Sequence, residues 1–440
     1  MSAVHSDDAV RETDVLVIGG GPAGSTAATL LAEKGYRVAL LEKDHHPRFH
    51  IGESLLPANM PLFERLGVAD EIRAIGMPKH GAEFFAPWLG RGETFEFKDA
   101  WDKACPYAYH VRRSEFDEIL IRRAGRAGAE VIEGCRVRDV EFGGGAHPVR
   151  VRADAPGGGS LEFAARFLVD ASGRDTFLAT RLGTKRRNPK HNSAAMYGHF
   201  RGARRYEGRR AGNISIYWFE HGWFWFIPLA DGTSSIGAVV WPAYMKSRDV
   251  PLEQFFRATL ALCPPLAERL AQATLVSEVE ATGNYSYSSD RCHGPHHLLI
   301  GDAYAFIDPV FSSGVWLAMN SAAVGAEAID ACLSRPREAR AALRGFERVM
   351  RRGPSVFSWF IYRVTNPTMR DMFMHPRNVG RVKEAVLSVL AGDIFGRTPI
   401  WGSLRLFKTF YYALSLANLR RTLLAWRKHA ADVGWVSPGG

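Results

Sequence analysis

Long hydrophobic runs are missing from this 440-residue chain: no apolar stretch approaches the ~18–20 residues that cross a bilayer as a helix, which argues against a helical channel or transporter. Cysteine is scarce. The five, Cys105, Cys135, Cys263, Cys292 and Cys332, stand far apart with no CxxC pair and no histidine at ligand spacing, so neither a disulfide scaffold nor a metal module is expected. Buried thiols in a reducing compartment follow instead. Residues 1–14 are polar and acidic, without the apolar centre of a secretory signal, which predicts a cytoplasmic protein. No internal repeat is visible.

What is present is ordinary globular composition, 46% hydrophobic and 23% charged, with 43 glycines and 23 prolines, which excludes disorder, collagen and coiled coil. Single cores stop growing near ~250–300 residues, so more than one domain is required. Lys and Arg number 56 against 46 acids, a formal charge of +10 that favours acidic partners. The basic residues are scattered, with only short clusters such as Lys185-Arg186-Arg187 and Arg204-Arg205, and no nucleic-acid module accompanies them. Nucleic acid is therefore not the expected partner.

Residues 13–42 read as a β-α-β unit: Asp14 to Ile18 is a buried strand, Pro22 to Lys34 a helix ended by Gly35, and Arg37 to Glu42 the next strand. Between the first two lies GxGxxG on Gly19, Gly21 and Gly24, with Ala23 inside it, and Glu42 closes the second strand. In that setting the motif points to a dinucleotide: glycines allow a tight turn and close approach to a pyrophosphate, the helix N-terminus offers free N–H groups, and Glu42 is placed for ribose hydroxyls. Glycine-rich turns at 143–145 and 157–159 join strands within 141–163, a helix covers 114–127, and 165–170 returns as a strand. Residues 190–290 hold aromatic strands at 214–219, 223–228 and 234–240, suited to an antiparallel sheet inserted into the nucleotide-binding domain, to which Leu298 to Asp302 and a helix from about 314 to 333 return. Residues 350–430 read as helices rich in aromatics and cations, either packed on the body or facing a partner or a membrane surface.

Further motifs narrow the reading. The segment Arg48-Phe-His-Ile-Gly-Glu-Ser54 follows the β-α-β unit, Arg113 opens the 114–127 helix, and Gly301-Asp302 closes a strand. Trp223-Phe-Trp225-Phe-Ile227-Pro228 fits WxWxIP, and Phe306-Ile-Asp-Pro309-Val-Phe-Ser312-Ser313-Gly314 fits FxxPxxSxG. Across roughly 12–335 these residues resemble the flavoprotein monooxygenase superfamily, and within it the flavin-dependent halogenases of the phenol and pyrrole type. The resemblance implies an α/β fold: an FAD-binding Rossmann-like domain of glutathione-reductase type with an inserted antiparallel β-sheet substrate domain and C-terminal helices. The FAD-binding domain would take 1–80, 111–185 and 291–345, the substrate domain 81–110 and 186–290, and the helical region 346–440.

The same resemblance assigns FAD contacts to Gly19, Gly21, Ala23, Gly24, Glu42, Arg48, Ser54, Arg113, Asp302 and Gly314, and no metal. It implies FADH2 delivered by a separate flavin reductase, in keeping with the single dinucleotide fingerprint. It makes Lys79 the catalytic lysine, Trp223, Trp225, Ile227, Pro228, Phe306, Pro309 and Ser312 the motif residues between flavin and substrate, and Ser313 and Gly314, at a helix start, the N–H donors for chloride or bromide. Hypohalous acid would travel to a separate substrate pocket, where an amine tuned by burial can bind it. His80 beside Lys79 is expected to be structural. Family members acting on free tryptophan carry a glutamate where this chain has Phe311, so phenols or pyrroles, free or borne on an acyl or peptidyl carrier protein, are the expected substrates. Arg405, Lys408, Arg420, Arg421 and Lys428 would dock such a carrier. The alternatives within the same fold are an aromatic hydroxylase and a geranylgeranyl-reductase-like enzyme; outside enzymes, a flavin-binding module without turnover.

Overall fold

The computed structural model describes residues 10–283, 286–396 and 398–434, so most of the polar N-terminal segment lies outside the described residues. Its first layer is a sheet whose central five strands run parallel in the order His297–Leu299, Ser160–Asp170, Arg11–Ile18, Val38–Leu41, Glu130–Ile132. Parallel strands must be covered on both faces, and these read as unbroken apolar runs: Val15, Leu16, Val17, Leu40 and Val169 are all buried. The helices Pro22–Glu33 and Arg113–Arg126 pack together on this sheet's core, and the helix Gly314–Ser334 lies against the first of them.

Ser160–Asp170 serves two pairings: residues 160–165 run antiparallel to Val149–Asp154, and residues 163–170 parallel to Arg11–Ile18. The second layer is a sheet in the order Thr274–Leu275, Ala194–Arg201, Thr233–Val240, Gly222–Pro228, Ile214–Phe219, Gly81–Ala86, Arg91–Glu96, with Glu280–Gly283 also on Ala194–Arg201. It is antiparallel except where Ile214–Tyr217 joins Ala82–Phe85 in parallel. That one join follows from the topology: residues 81–96 belong to an early segment and meet the later strands only at the sheet edge.

Gly222–Pro228 alternates two faces. Trp223, Trp225 and Ile227 turn toward one core, Phe224 and Phe226 toward another backed by the helix Leu252–Ala261. The C-terminal region is helical, with one difference from the expectation. One helix, Ala339–Ile361, runs through the expected boundary at 346, because its first half packs on Gly314–Ser334 and its second half carries Phe357 and Phe360 into the other core. Near its end this helical region divides at Asn418 into Ile400–Ala417 and Leu419–Asp432. Asn418 turns its side-chain amide to the Leu414 carbonyl, the local competition with helix that asparagine favours. No helix among the described residues is long and apolar enough to cross a membrane.

Candidate active site

Where the parallel sheet meets the second sheet, a cavity of about 360 Å³ opens above the carboxyl ends of the strands. Its floor is the turn after Arg11–Ile18. Gly19 has φ +101°, and a Cβ there would sit 2.4 Å from the Ala171 carbonyl oxygen; one on Gly24 would sit 1.8 Å from the Gly19 oxygen. These two glycines are required by the fold itself. Gly21 differs, since a Cβ there would meet only the Arg48 guanidinium at 3.7 Å. Its bareness keeps open the approach of a ligand to the first turn of Pro22–Glu33. Gly19, Gly21 and Ala23 line the cavity, while Gly24 is buried beneath them.

Glu42 does more than face the ligand. One carboxylate oxygen accepts the Gly20 N–H at 2.6 Å and the other the Asp44 N–H at 2.9 Å, so it also holds the turn in shape. Arg48 lies 3.7 Å from it, and the Arg48 Nε is buried without a hydrogen-bond partner in the chain. An unpartnered guanidinium N–H on the wall beside a bare glycine and a helix N-terminus is what a pyrophosphate would satisfy. Arg113 donates twice to Asp117, at 2.8 Å each, and once to the Ile51 carbonyl at 3.0 Å, thereby fixing the 48–54 segment to the helix. Burial alone would push the Asp117 carboxyl up, but the Arg113 guanidinium holds it below the usual carboxylate range. Asp302 stands across the cavity, where burial raises its pKa to about 6 against the pull of Arg113 and Arg174. The residues present fit FAD.

The opposite wall carries both aromatic motifs. Trp223, Trp225, Ile227, Phe306, Pro309, Ser312 and Gly314 line the cavity; Pro228 ends its strand away from it, and Ser313 is buried directly before the helix Gly314–Ser334. Trp225 is locked in place, its indole N–H on Ser235 Oγ at 3.2 Å and its ring where Gly237 leaves room. Phe311 points away, packed on Phe357 and Phe360, so an apolar cage stands where a carboxylate was noted as absent. The one acid of that motif, Asp308, is engaged with His191 at 2.8 Å.

Lys79 is not on the cavity wall. It ends the short strand Met77–Lys79, paired with Ala108–His110, and is 1% exposed. Its Nζ donates to Ser54 Oγ at 2.9 Å and to the Leu55 carbonyl at 3.0 Å, and lies 5.2 Å from the Phe97 ring. Ser312 Oγ donates to Ser54 Oγ at 3.0 Å, and both serines line the cavity. Two hydroxyls therefore connect the amine to the space beside the flavin site. Burial, with no carboxylate among its hydrogen-bond partners, brings the Lys79 pKa down to about 7. His80 lies beside the Tyr107 ring at 6.2 Å, and its backbone N–H donates to Asn213 Oδ1 at 3.1 Å.

Three further residues belong here. Glu53 lines the cavity and is gripped by His199, whose Nε2 lies 2.9 and 3.1 Å from its two oxygens. Glu53 had a signal, its place in the 48–54 segment, but His199 had none. His50 also lines the cavity, its pKa lowered to about 4 chiefly by burial and then by Arg113.

A two-layer molecule with this turn, this cavity and this carboxylate pattern defines an FAD-binding flavoprotein. The family model for the FAD binding domain matches residues 12–339. The chain belongs to the flavin-dependent halogenases: it is 31% identical over 414 residues to a 1H-pyrrole-2-carbonyl-[peptidyl-carrier protein] chlorinase of Pseudomonas fluorescens, covering 88% of this chain and 90% of that one. It is also 37% identical over 344 residues to a tryptophan 2-halogenase of Chondromyces crocatus, covering 76% of this chain and 64% of that protein's length. The structure of the myxobacterial chondrochloren halogenase CndH superposes with a TM-score of 0.77 at 36% identity, over 89% of this chain and 93% of that one.

Proposed function

We propose that the chain is an FADH2- and O2-dependent halogenase that places chlorine or bromine on an electron-rich aromatic, a phenol or a pyrrole, with Lys79 handling the oxidised halogen. One observation carries this reading: the run from Lys79 Nζ through Ser54 Oγ to Ser312 Oγ, which joins a buried amine of pKa about 7 to the cavity wall. Reduced flavin, when bound, supplies with oxygen and halide the hypohalous acid. Near neutral pH about half of the Lys79 amine is unprotonated. Its lone pair takes the halogen from hypohalous acid, forming an N–halogen bond and releasing water; the aromatic carbon then takes the halogen and returns its proton to the amine.

Trp223, Trp225 and Ile227 form an apolar wall that keeps a substrate beside Lys79 from the flavin, which disfavours direct oxygen transfer. Ser313 and Gly314 offer N–H groups for the halide at the start of Gly314–Ser334. Phe311 brings no charge to stabilise a cationic ring intermediate, hence the preference for rings activated by their own oxygen or nitrogen. The likeness to a tryptophan 2-halogenase supports a second reading, an indole substrate. With one dinucleotide fingerprint, the chain draws FADH2 from a partner reductase, and the likeness to the pyrrole chlorinase supports an aromatic delivered on a carrier protein.

The test is product mass after incubation with FAD, a separate reductase, chloride or bromide, and phenol, pyrrole and indole probes, free and carrier-bound. Halogenated product lost at least ~100-fold in Lys79→Met, with FAD still bound, is the expected result. Hydroxylated product, or more than roughly a tenth of the turnover in Lys79→Met, overturns the role given to Lys79.

A further inference from the structure

From Asp393 to Asp432 the chain carries seven Lys or Arg and not one Asp or Glu between those two acids. Most of that stretch is the helix pair Ile400–Ala417 and Leu419–Asp432. Ile400, Leu404, Phe407 and Tyr411 turn inward at helical spacing in the first helix, and Thr422 does so in the second. The sides of the pair that face solvent are apolar too. Among the described residues sixteen large apolar side chains are exposed, and seven of them fall between Tyr412 and Trp426; Leu416 is 70% exposed and Leu424 58%. Such a concentration on one short helix pair marks an interaction surface.

The cations on this face divide into two groups. Arg421 lies 2.6 Å from Asp371 and Lys428 2.7 Å from Glu220, so these two of the five basic residues expected to dock a carrier already face an acid of the chain. Arg405, Arg420 and Arg427 have no ion pair among the described residues. A cavity of about 350 Å³, whose Lys408 stands one helical turn before Tyr412, is lined by Arg352, Arg405 and Lys408 over Phe360, Leu404 and Trp401. It has three cations, an apolar base and no acid. Arg352 stands over the Trp401 ring at 4.5 Å, and Lys408 over Trp359 at 4.8 Å.

We propose that this face docks the protein on an anionic phospholipid surface, with a headgroup phosphate in the Arg352/Arg405/Lys408 cavity and the leucines and Trp426 entering the interface. A second copy of the chain is disfavoured, since a two-fold contact would press together two faces whose cations Arg405, Arg420 and Arg427 have no ion pair among the described residues. Protruding leucines among arginines suit a medium that needs no shaped groove: apolar side chains enter it, arginines reach the phosphates, and tryptophan sits at headgroup depth. The helices lie on the bilayer and do not cross it.

Vesicle co-sedimentation of the full-length protein tests this, with phosphatidylcholine alone and with about 30% phosphatidylserine. Binding is expected only to the anionic vesicles and is lost at high salt. Arg420→Gln with Arg427→Gln should weaken it about 25-fold, a factor of about five per cation. Leu416→Ser with Leu424→Ser should abolish it while FAD binding stays intact. Equal binding to both vesicle types, or none to either, overturns the proposal. Binding that survives the serine variants but disappears with inorganic phosphate assigns the cavity to a free anion. Capture of an acidic carrier protein lost in the same variants, without vesicle binding, assigns the face to a protein.

Discussion

Two sets of buried charge around one site are treated in opposite ways. On the nucleotide side Arg113 and Asp117 form a bidentate pair, so burial costs are offset and both charges are fixed. On the other side Lys79, also buried, donates to a hydroxyl and a carbonyl beside an aromatic ring, with no carboxylate among its hydrogen-bond partners. Paired charges give a rigid scaffold whose protonation does not change near neutrality. An amine held by neutral partners sits close to its own titration point and can exchange a proton. The first arrangement suits binding, the second chemistry.

The largest expected effect breaks the scaffold side. A Cβ at Gly24 would lie 1.8 Å from the Gly19 carbonyl oxygen, so Gly24→Ala should yield little folded protein. Gly21→Ala meets nothing nearer than Arg48 at 3.7 Å and should leave the apoprotein's melting temperature within about 2 °C of wild type, an effect under ~0.5 kcal/mol. Its FAD dissociation constant should rise at least ~10-fold through steric conflict with the pyrophosphate. Equal behaviour of the two variants, by thermal melting and flavin fluorescence, would erase the distinction between a fold glycine and a ligand glycine.

That distinction also marks how far the sequence could be read. GxGxxG and Glu42 are local patterns within one β-α-β unit, and the two aromatic motifs carry the family resemblance that implied the α/β fold with its inserted sheet. The Lys79–Ser54–Ser312 run draws on three segments, and only folding shows that the lysine stands behind the wall instead of on it. His199 meets Glu53 across 146 positions, where no periodicity links them. The break at Asn418 is local, yet asparagine is common enough within helices that it gave no clear stop. Which basic residues are spent on internal ion pairs, Arg421 and Lys428 among them, is settled by tertiary neighbours alone.

A second, smaller effect sharpens the chemical side. The folded state holds Lys79 near pKa 7, while the unfolded chain restores about 10.5, so between those values the unfolded state binds one proton more. Stability therefore rises with pH across that window, by up to about 1.4 kcal/mol per unit from this group. In Lys79→Met that rise should be absent. Urea titrations of both proteins at pH 7 and pH 9.5 measure it, and parallel slopes would mean that the amine is charged in the folded protein.

The smallest effect concerns the hydroxyls between the amine and the cavity. Ser54 Oγ accepts from Lys79 at 2.9 Å and from Ser312 at 3.0 Å, so Ser54→Ala removes one acceptor from the amine and a partner from Ser312. The Leu55 carbonyl remains at 3.0 Å, and the lysine therefore stays in place. Losing an acceptor disfavours the charged form, which should move the acid limb of the halogenation pH profile down by a few tenths of a unit, with turnover reduced about 3- to 10-fold. Ser312→Ala leaves both of the amine's acceptors and should lower turnover without moving that limb. A matching shift in both variants would place the titrating group on the cavity wall and not at Lys79.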